Sequence, residues 1–185
     1  YDRSQPVVIG KAPQKGANYV YAFRNYSGLG TITAELYDAR TSESYGAPAA
    51  PQQVGTGTQM YNRNGSSVTI LPGADLSYYW VVGVDHIDNP ANIVSFKVSA
   101  DNPQGVSTTP VKSSLGQISG DPVEDFRNMM PWNSEMASGA GAGSPITGSV
   151  TGTSKLVIAD YGSSNIYVYN FNRGTGSATL LNRLS

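Results

Sequence analysis

Apolar side chains recur at every second position along most of this sequence. Tyr19, Tyr21 and Phe23 share one side of an extended segment, with Val20 and Ala22 on the other. Ile32, Ala34 and Leu36 alternate with Thr33, Glu35 and Tyr37, and Val94, Phe96 and Val98 form another stripe. Ile166 and Val168 alternate with Tyr167, Tyr169 and Phe171, and residues Leu156 to Ala159 are a short apolar run. A period of two belongs to β-strands, whose successive side chains point to opposite faces; on a helix it would scatter the apolar residues all round. The longest stripe is Leu76, Tyr78, Trp80, Val82 and Val84, and Tyr79 and Val81 make its other side apolar too. A strand apolar on both faces predicts a central place between two layers.

Turn chemistry separates these runs at Ser27-Gly28, Asn64-Gly65, Pro72-Gly73, Asn89-Pro90, Asn102-Pro103 and Gly162-Ser163. Asn64-Gly65 is the stronger hairpin signal, because both residues tolerate positive φ. The pattern predicts a mainly β chain, an antiparallel β-sandwich or jelly-roll-like fold of roughly seven to nine strands. One short helix is expected over Asp121 to Met130: Asp121 can cap it, Pro122 suits its first position, Glu124 completes a capping-box-like spacing, and Pro131 ends it. Two stretches read as long Gly/Ser-rich loops, Ala47 to Thr58 and Ser138 to Thr153, or as arms contacting neighbouring subunits. Residues 1–185 are read as a single β domain. The segments Tyr21 to Thr33 and Tyr167 to Thr179 echo each other as aromatic strand, Gly-x-Gly loop and Thr-containing strand, a similarity that two hairpins can also reach by chance.

Composition narrows the function classes. Charged residues are 14% of 185, with Lys plus Arg 12 and Asp plus Glu 13, so there is no basic surface to hold phosphates and nucleic acid is excluded as an expected partner. Cysteine is absent, which removes disulfides, thiolate metal sites and Cys nucleophiles. No apolar run approaches the ~20 residues of a transmembrane helix. So little charge over so many Gly and Tyr residues suits a surface that is partly covered in use.

Candidate chemistry is sparse. His86 is the only imidazole, in Val84-Asp85-His86-Ile87-Asp88-Asn89-Pro90. It could act as a base oriented by Asp85 or Asp88, but the Gly-x-Ser-x-Gly nucleophile turn is missing. Asp85, Asp88 and Asn89 offer oxygens for calcium without EF-hand spacing, and such residues commonly cap turns. Residues Val157-Ile158-Ala159-Asp160-Tyr161-Gly162-Ser163-Ser164-Asn165 resemble the Asp-Thr-Gly-Ser-Ser-Asn catalytic loop of pepsin-like aspartic proteases, and the resemblance implies that Asp160 shares a proton with a second aspartate. Tyr161 stands where that family has Thr or Ser, and no second Asp-Thr-Gly or Asp-Ser-Gly is present. The same stretch with its following hairpin also looks like one blade segment of a β-propeller, which needs several such blades. The sequons Asn25-Tyr26-Ser27 and Asn64-Gly65-Ser66 are of a kind that chance supplies in a chain this rich in Asn, Ser and Thr.

No catalytic residue, cofactor or metal site is therefore expected. The candidate ligand or interface aromatics are Tyr61, Trp132, Tyr167 and Tyr169, with core or subunit packing as the alternative use of each. The sequence reads as a non-enzymatic structural or adhesive subunit of a larger assembly, of the viral capsid, spike or surface-appendage kind, at a virion or extracellular surface. Its expected partners are copies of itself or other structural subunits. The alternatives are a carbohydrate-binding module or lectin that takes glycans, and a membrane-active pore-forming protein.

Overall fold

The computed structural model describes residues 7–26, 31–39, 52–61, 68–75, 77–85, 92–116, 128–132, 152–160 and 165–184. These form thirteen strands: β1 (Val7–Lys11), β2 (Tyr19–Tyr26), β3 (Thr31–Asp38), β4 (Gln52–Gln53), β5 (Thr58–Tyr61), β6 (Thr69–Pro72), β7 (Tyr78–Asp85), β8 (Asn92–Ser99), β9 (Val111–Ser114), β10 (Asn128–Trp132), β11 (Thr153–Asp160), β12 (Asn165–Asn172) and β13 (Ala178–Leu184). They group in chain order into three antiparallel sheets. The first is β1-β2-β3, with β4 and β5 both on the far side of β3; the second is β6-β7-β8-β9; the third is β10-β11-β12-β13.

Antiparallel sheets packed face to face are thus present, in three layers rather than two. Each is an up-and-down meander of consecutive strands, the order of a propeller blade and not the Greek key of a jelly roll. The second sheet is the middle layer. Its Tyr79, Val81, Val94, Phe96 and Val98 pack against Tyr21, Phe23, Ile32, Ala34 and Met60 of the first sheet and its approaches. Its Leu71, Trp80, Val82, Val84 and Ile93 pack against Leu156, Ile158, Tyr167, Tyr169 and Phe171 of the third. Full burial of one such side chain stabilises by about 1.5–3 kcal/mol, and β7 contributes from both sides, as its two-faced apolar pattern predicts. The first strands of successive sheets adjoin, β1 with β6 and β6 with β10, so the layers are stacked in the same order.

Hydrogen bonds tie the layers. Tyr79 OH donates to Lys11 O of the first sheet at 2.6 Å. Between the second and third sheets the turn after β12 does most of this. Arg173 is completely buried; its Nε donates to Gly73 O at 3.0 Å. The Arg173 carbonyl accepts from Trp80 Nε1 at 2.7 Å and from Tyr78 OH at 3.0 Å. Tyr169 OH donates to Leu115 O at 2.7 Å, and Ala178 N to Ser113 Oγ at 2.9 Å.

Several sequence expectations are corrected. No α-helix occurs among the described residues. The end of the expected helix, Asn128 to Met130, lies in β10, which continues through Pro131 to Trp132 and pairs with Lys155–Ala159; residues 121–127 are outside the described set. A helix this short is marginal without docking, and strand pairing supplies backbone partners that capping cannot. Pro131 is tolerated because β10 is an edge strand. The expected loop Ala47 to Thr58 contains β4 and the start of β5. Of Ser138 to Thr153, only Gly152 and Thr153 are described, and Thr153 opens β11. Asn64-Gly65 lies outside the described residues; β5 and β6, which flank it, belong to different sheets and do not pair as a hairpin. The two echoing segments are not equivalent either. One spans the second and third strands of its sheet, the other the third and fourth.

A different repeat emerges from the registers. The second and third strands of every sheet are eight residues long. Each third strand has Ile at its second position: Ile32, Ile93 and Ile166. Asp85 pairs with Asn92 at the mouth of the second sheet's central hairpin, and Asp160 with Asn165 at that of the third.

Candidate functional site: a polar pocket and an uncovered sheet face

Three loops converge beside the first sheet. In the connection from β1 to β2, Lys15 N donates to Ala12 O at 3.0 Å and Gly16 takes a φ of 96°, which brings Gln14 and Lys15 to the rim. The strand β4 leads through Val54, whose N donates to Leu36 O at 2.7 Å, into Thr56 and Thr58. In the connection from β8 to β9, Asn102 Oδ1 accepts from Gln104 N at 3.0 Å, an Asx turn that holds Pro103 and Gln104 against the same site. Together they line an open cleft of about 420 Å³, with Gln14, Lys15, Thr56, Thr58 and Gln104 around Leu36 and Val54.

Tyr21 sits at the back. Its hydroxyl accepts a hydrogen bond from the Gln14 side-chain amide and donates to Gln104 O at 3.4 Å. Burial raises its pKa above the usual tyrosine value, against the opposing pull of the Gln14 bond, so the phenol is neutral at physiological pH. Gln14 Oε1 is buried and has no hydrogen-bond partner among the described residues. The described lining holds one cationic side chain, Lys15, and no carboxylate.

A second polar cluster closes the seam between the first and second sheets. Asp85 is completely buried; its Oδ2 accepts from Tyr61 OH at 2.5 Å and lies 3.4 Å from Lys112 Nζ. Burial, then the Asp85 hydrogen bond and charge, raises the Tyr61 pKa. Tyr61 also packs edge-tilted on Phe96, with ring centroids 5.5 Å apart. This candidate aromatic therefore serves as an inter-sheet brace. Tyr167 and Tyr169 are wholly buried between the second and third sheets and offer no face to a ligand. The backbone of Trp132 is at the end of β10; its side chain, His86, Asp88 and Asn89 lie outside the described residues. So do residues 161–164 of the protease-like loop, where Asp160 and Asn165 are simply the paired ends of β11 and β12. Among the described residues no three metal-ligating side chains gather, and no helix is long and apolar enough to cross a membrane.

The outer layers differ from each other. On the first sheet, the face turned away from the stack carries Arg24, Glu35 and Tyr37: Arg24 Nε lies 3.0 Å from Glu35 Oε2, and Tyr37 OH donates to the same oxygen at 3.0 Å. Val7 and Ile9 on the edge strand β1 are its exposed aliphatics. On the third sheet, the outward face brings Ile166 opposite Leu184, and Val157 opposite Val168. Ile166 is 40% and Leu184 52% exposed. Neither Gln14 with its pocket nor this face was legible in the sequence, although Ile166 and Val168 were visible as a stripe. Which side of a stripe is covered depends on what stacks there.

Comparison with protein-family models, with curated proteins and with solved structures finds no match to this chain.

Proposed function

We propose that the chain is a non-catalytic structural or adhesive subunit of a larger assembly, acting through contacts between sheet faces. The observation that carries this reading is the fate of the three equivalent isoleucines. Ile32 faces the second sheet and Ile93 faces the third, and both are 0% exposed; Ile166 faces outward at the same strand position and is 40% exposed. The stack thus repeats a docking face three times and covers it twice. A terminal layer that stands alone in water needs a polar outer face. The first sheet approaches this with Arg24, Glu35 and Tyr37, with Val7 and Ile9 exposed at its β1 edge, whereas the third presents Val157, Ile166, Val168 and Leu184 beside the Lys155–Asn170 pair.

The occupant we assign to this face is the same face of a second copy. Head-to-tail stacking would set aliphatics against the Arg24–Glu35 pair, while two-fold pairing sets aliphatics against aliphatics and is self-complementary. Strands of five, eight, eight and seven residues offer roughly 450 Å² per side in plan, so two faces bury roughly 900 Å², the size of a weak, concentration-dependent interface. The low charge of the chain, 14%, is consistent with a surface covered in use.

Light scattering over a range of concentrations tests this. The expected mass is twice the 19.5 kDa of one chain. Val168→Lys together with Ile166→Lys is expected to return it to one chain while leaving the β circular dichroism intact. A single-chain mass at every concentration for the unaltered protein would overturn the proposal.

A further inference from the structure

We propose that the free edge of β1 is a second self-complementary interface, which pairs antiparallel with β1 of another copy and joins two first sheets into one. This edge is separate from the third-sheet face, and either contact can fail without the other.

The ladder itself shows which groups face the edge. Strands β1 and β2 pair in unbroken register, and Ala12 N donates to Tyr19 O at 3.0 Å where that register runs on past Lys11. In an antiparallel pair, residues that bond to the neighbouring strand alternate with residues that do not. Ala12, Gly10 and Val8 therefore bond toward β2, and the N–H and C=O groups of Val7, Ile9 and Lys11 point the other way. Lys11 O accepts from Tyr79 OH at 2.6 Å. The backbone groups of Val7 and Ile9 on that side have no partner among the described residues.

An unpaired edge is a template for another strand, and proteins blunt it with proline, a bulge, charge or brevity. The other edges among the described residues do so. β4 is two residues long, and β5 breaks register against β3. Pro72 closes β6 and Pro131 interrupts β10. β9 has four residues with Lys112 among them. β13 breaks register opposite Val168 and Tyr169 and carries Arg183. β1 has neither a proline nor a register break, and its one charge, Lys11, is its last residue. Pro6 precedes it in the sequence, and the missing N–H limits pairing to these five residues.

A second copy is the occupant that the side chains fit. Val7, Ile9 and Lys11 share the outward face, with Val7 45% and Ile9 67% exposed. An antiparallel partner centred on Ile9 sets Ile9 beside Ile9, each N–H donating to the other's carbonyl. It also sets Val7 beside the aliphatic stem of Lys11 and brings Lys11 N–H to Val7 O. The two lysines then stand roughly 13 Å apart along the strands, beyond the ~8–10 Å reach of exposed charges in physiological salt. A parallel partner would set them side by side, where like charges repel. Five residues bury far less than the ~1,000 Å² of a stable interface, so the pairing is weak, near millimolar. Where the third-sheet faces pair as well, two self-complementary contacts on one chain give an open series of copies in place of a closed pair.

Amide NMR on isotope-labelled protein carrying Ile166→Lys and Val168→Lys isolates the edge from the third-sheet face. Between about 0.05 and 2 mM, exchange of the Val7, Ile9 and Lys11 amides with water is expected to slow about twofold, as a millimolar pairing equilibrium requires. Ile9→Val should preserve this and Ile9→Lys should abolish it, with unchanged shifts outside β1 showing that the fold is intact. Val7 and Ile9 amides protected at every concentration would mean that the edge is covered within one chain. Fast exchange at every concentration would mean that it stays bare. Either result, or a slowing that survives Ile9→Lys, overturns the proposal.

Discussion

Gly176 shows how a single residue fixes the contact between two layers. Its φ is 75°, and a Cβ built on it would lie 2.5 Å from Trp80 Cζ3. The indole can then lie across the turn and donate to Arg173 O at 2.7 Å. Left-handed backbone costs an L-residue about 1–2 kcal/mol, and overpacking about 1–3 more. Gly176→Ala is therefore expected to destabilise by roughly 2–4 kcal/mol, seen as a lower urea midpoint with quenching or shift of the Trp80 emission. Gly152, whose φ is 74° with nothing near its missing Cβ, should lose only the backbone part on the same substitution. Asn172-Arg173-Gly174-Thr175-Gly176 announces a turn in the sequence. That Arg173 is buried within it could not be read there, because arginine's burial depends on carbonyls brought from Gly73, 100 positions away.

At the level of elements, β7 and β12 carry similar alternation and meet different fates. Val81 and Val82 are adjacent, point to opposite sides and are both 0% exposed, because β7 lies in the middle layer. Val81→Ala and Val82→Ala are each expected to cost about 2 kcal/mol. Val168→Ala on β12 should cost well under half of that in a single-chain species, since its face is only partly covered. Chemical denaturation of the three variants checks this, and equal losses would contradict the layer order. The two-sided apolar pattern of β7 was legible from sequence because both faces are buried and both select apolar residues. The helix expected over Asp121 to Met130 was misread at Asn128 to Met130 because its signals are local. Capping residues and a 3.6-residue spacing act within a few positions, whereas β10 is held by pairing with β11, more than twenty residues on.

Across the whole molecule, tyrosine burial makes stability sensitive to alkali. Burial raises the pKa of Tyr21, Tyr61, Tyr79 and Tyr169, each of which hydrogen-bonds within or between layers. A pKa higher in the folded than in the unfolded chain means that the fold holds its proton longer. The contribution is complete below the unfolded value near 10 and is lost as pH rises above it. For the fully buried Tyr169 alone the loss approaches about 1.4 kcal/mol per pH unit above pH 10. Urea midpoints should be flat between about pH 8 and 9.5 and fall steeply beyond, with tyrosinate absorbance appearing together with unfolding. Early tyrosinate absorbance by the folded protein would contradict this reading of Tyr169.

Strand content, the position of β7 and many strand limits follow from the sequence, because side-chain alternation is a local property of an extended chain. The two-residue period could not say how strands are distributed among sheets. Seven to nine strands in two layers fit the pattern as well as thirteen in three. The propeller-blade likeness near Asp160 stood alone in the sequence, yet each sheet has that order, and the equivalent positions share Ile32, Ile93 and Ile166 with little else. The candidate aromatics could not be sorted for the same reason: Tyr61, Tyr167 and Tyr169 are alike as letters, and only stacking makes one a brace and two of them core. The pocket lay further out of reach, since Gln14, Thr58 and Gln104 come from the β1–β2 connection, the start of β5 and the β8–β9 connection. Alternation determined that this chain makes sheets. Which faces are covered, and which face and which pocket are left open, was decided by layer stacking, because burial is a property of what lies opposite a side chain and not of its neighbours in sequence.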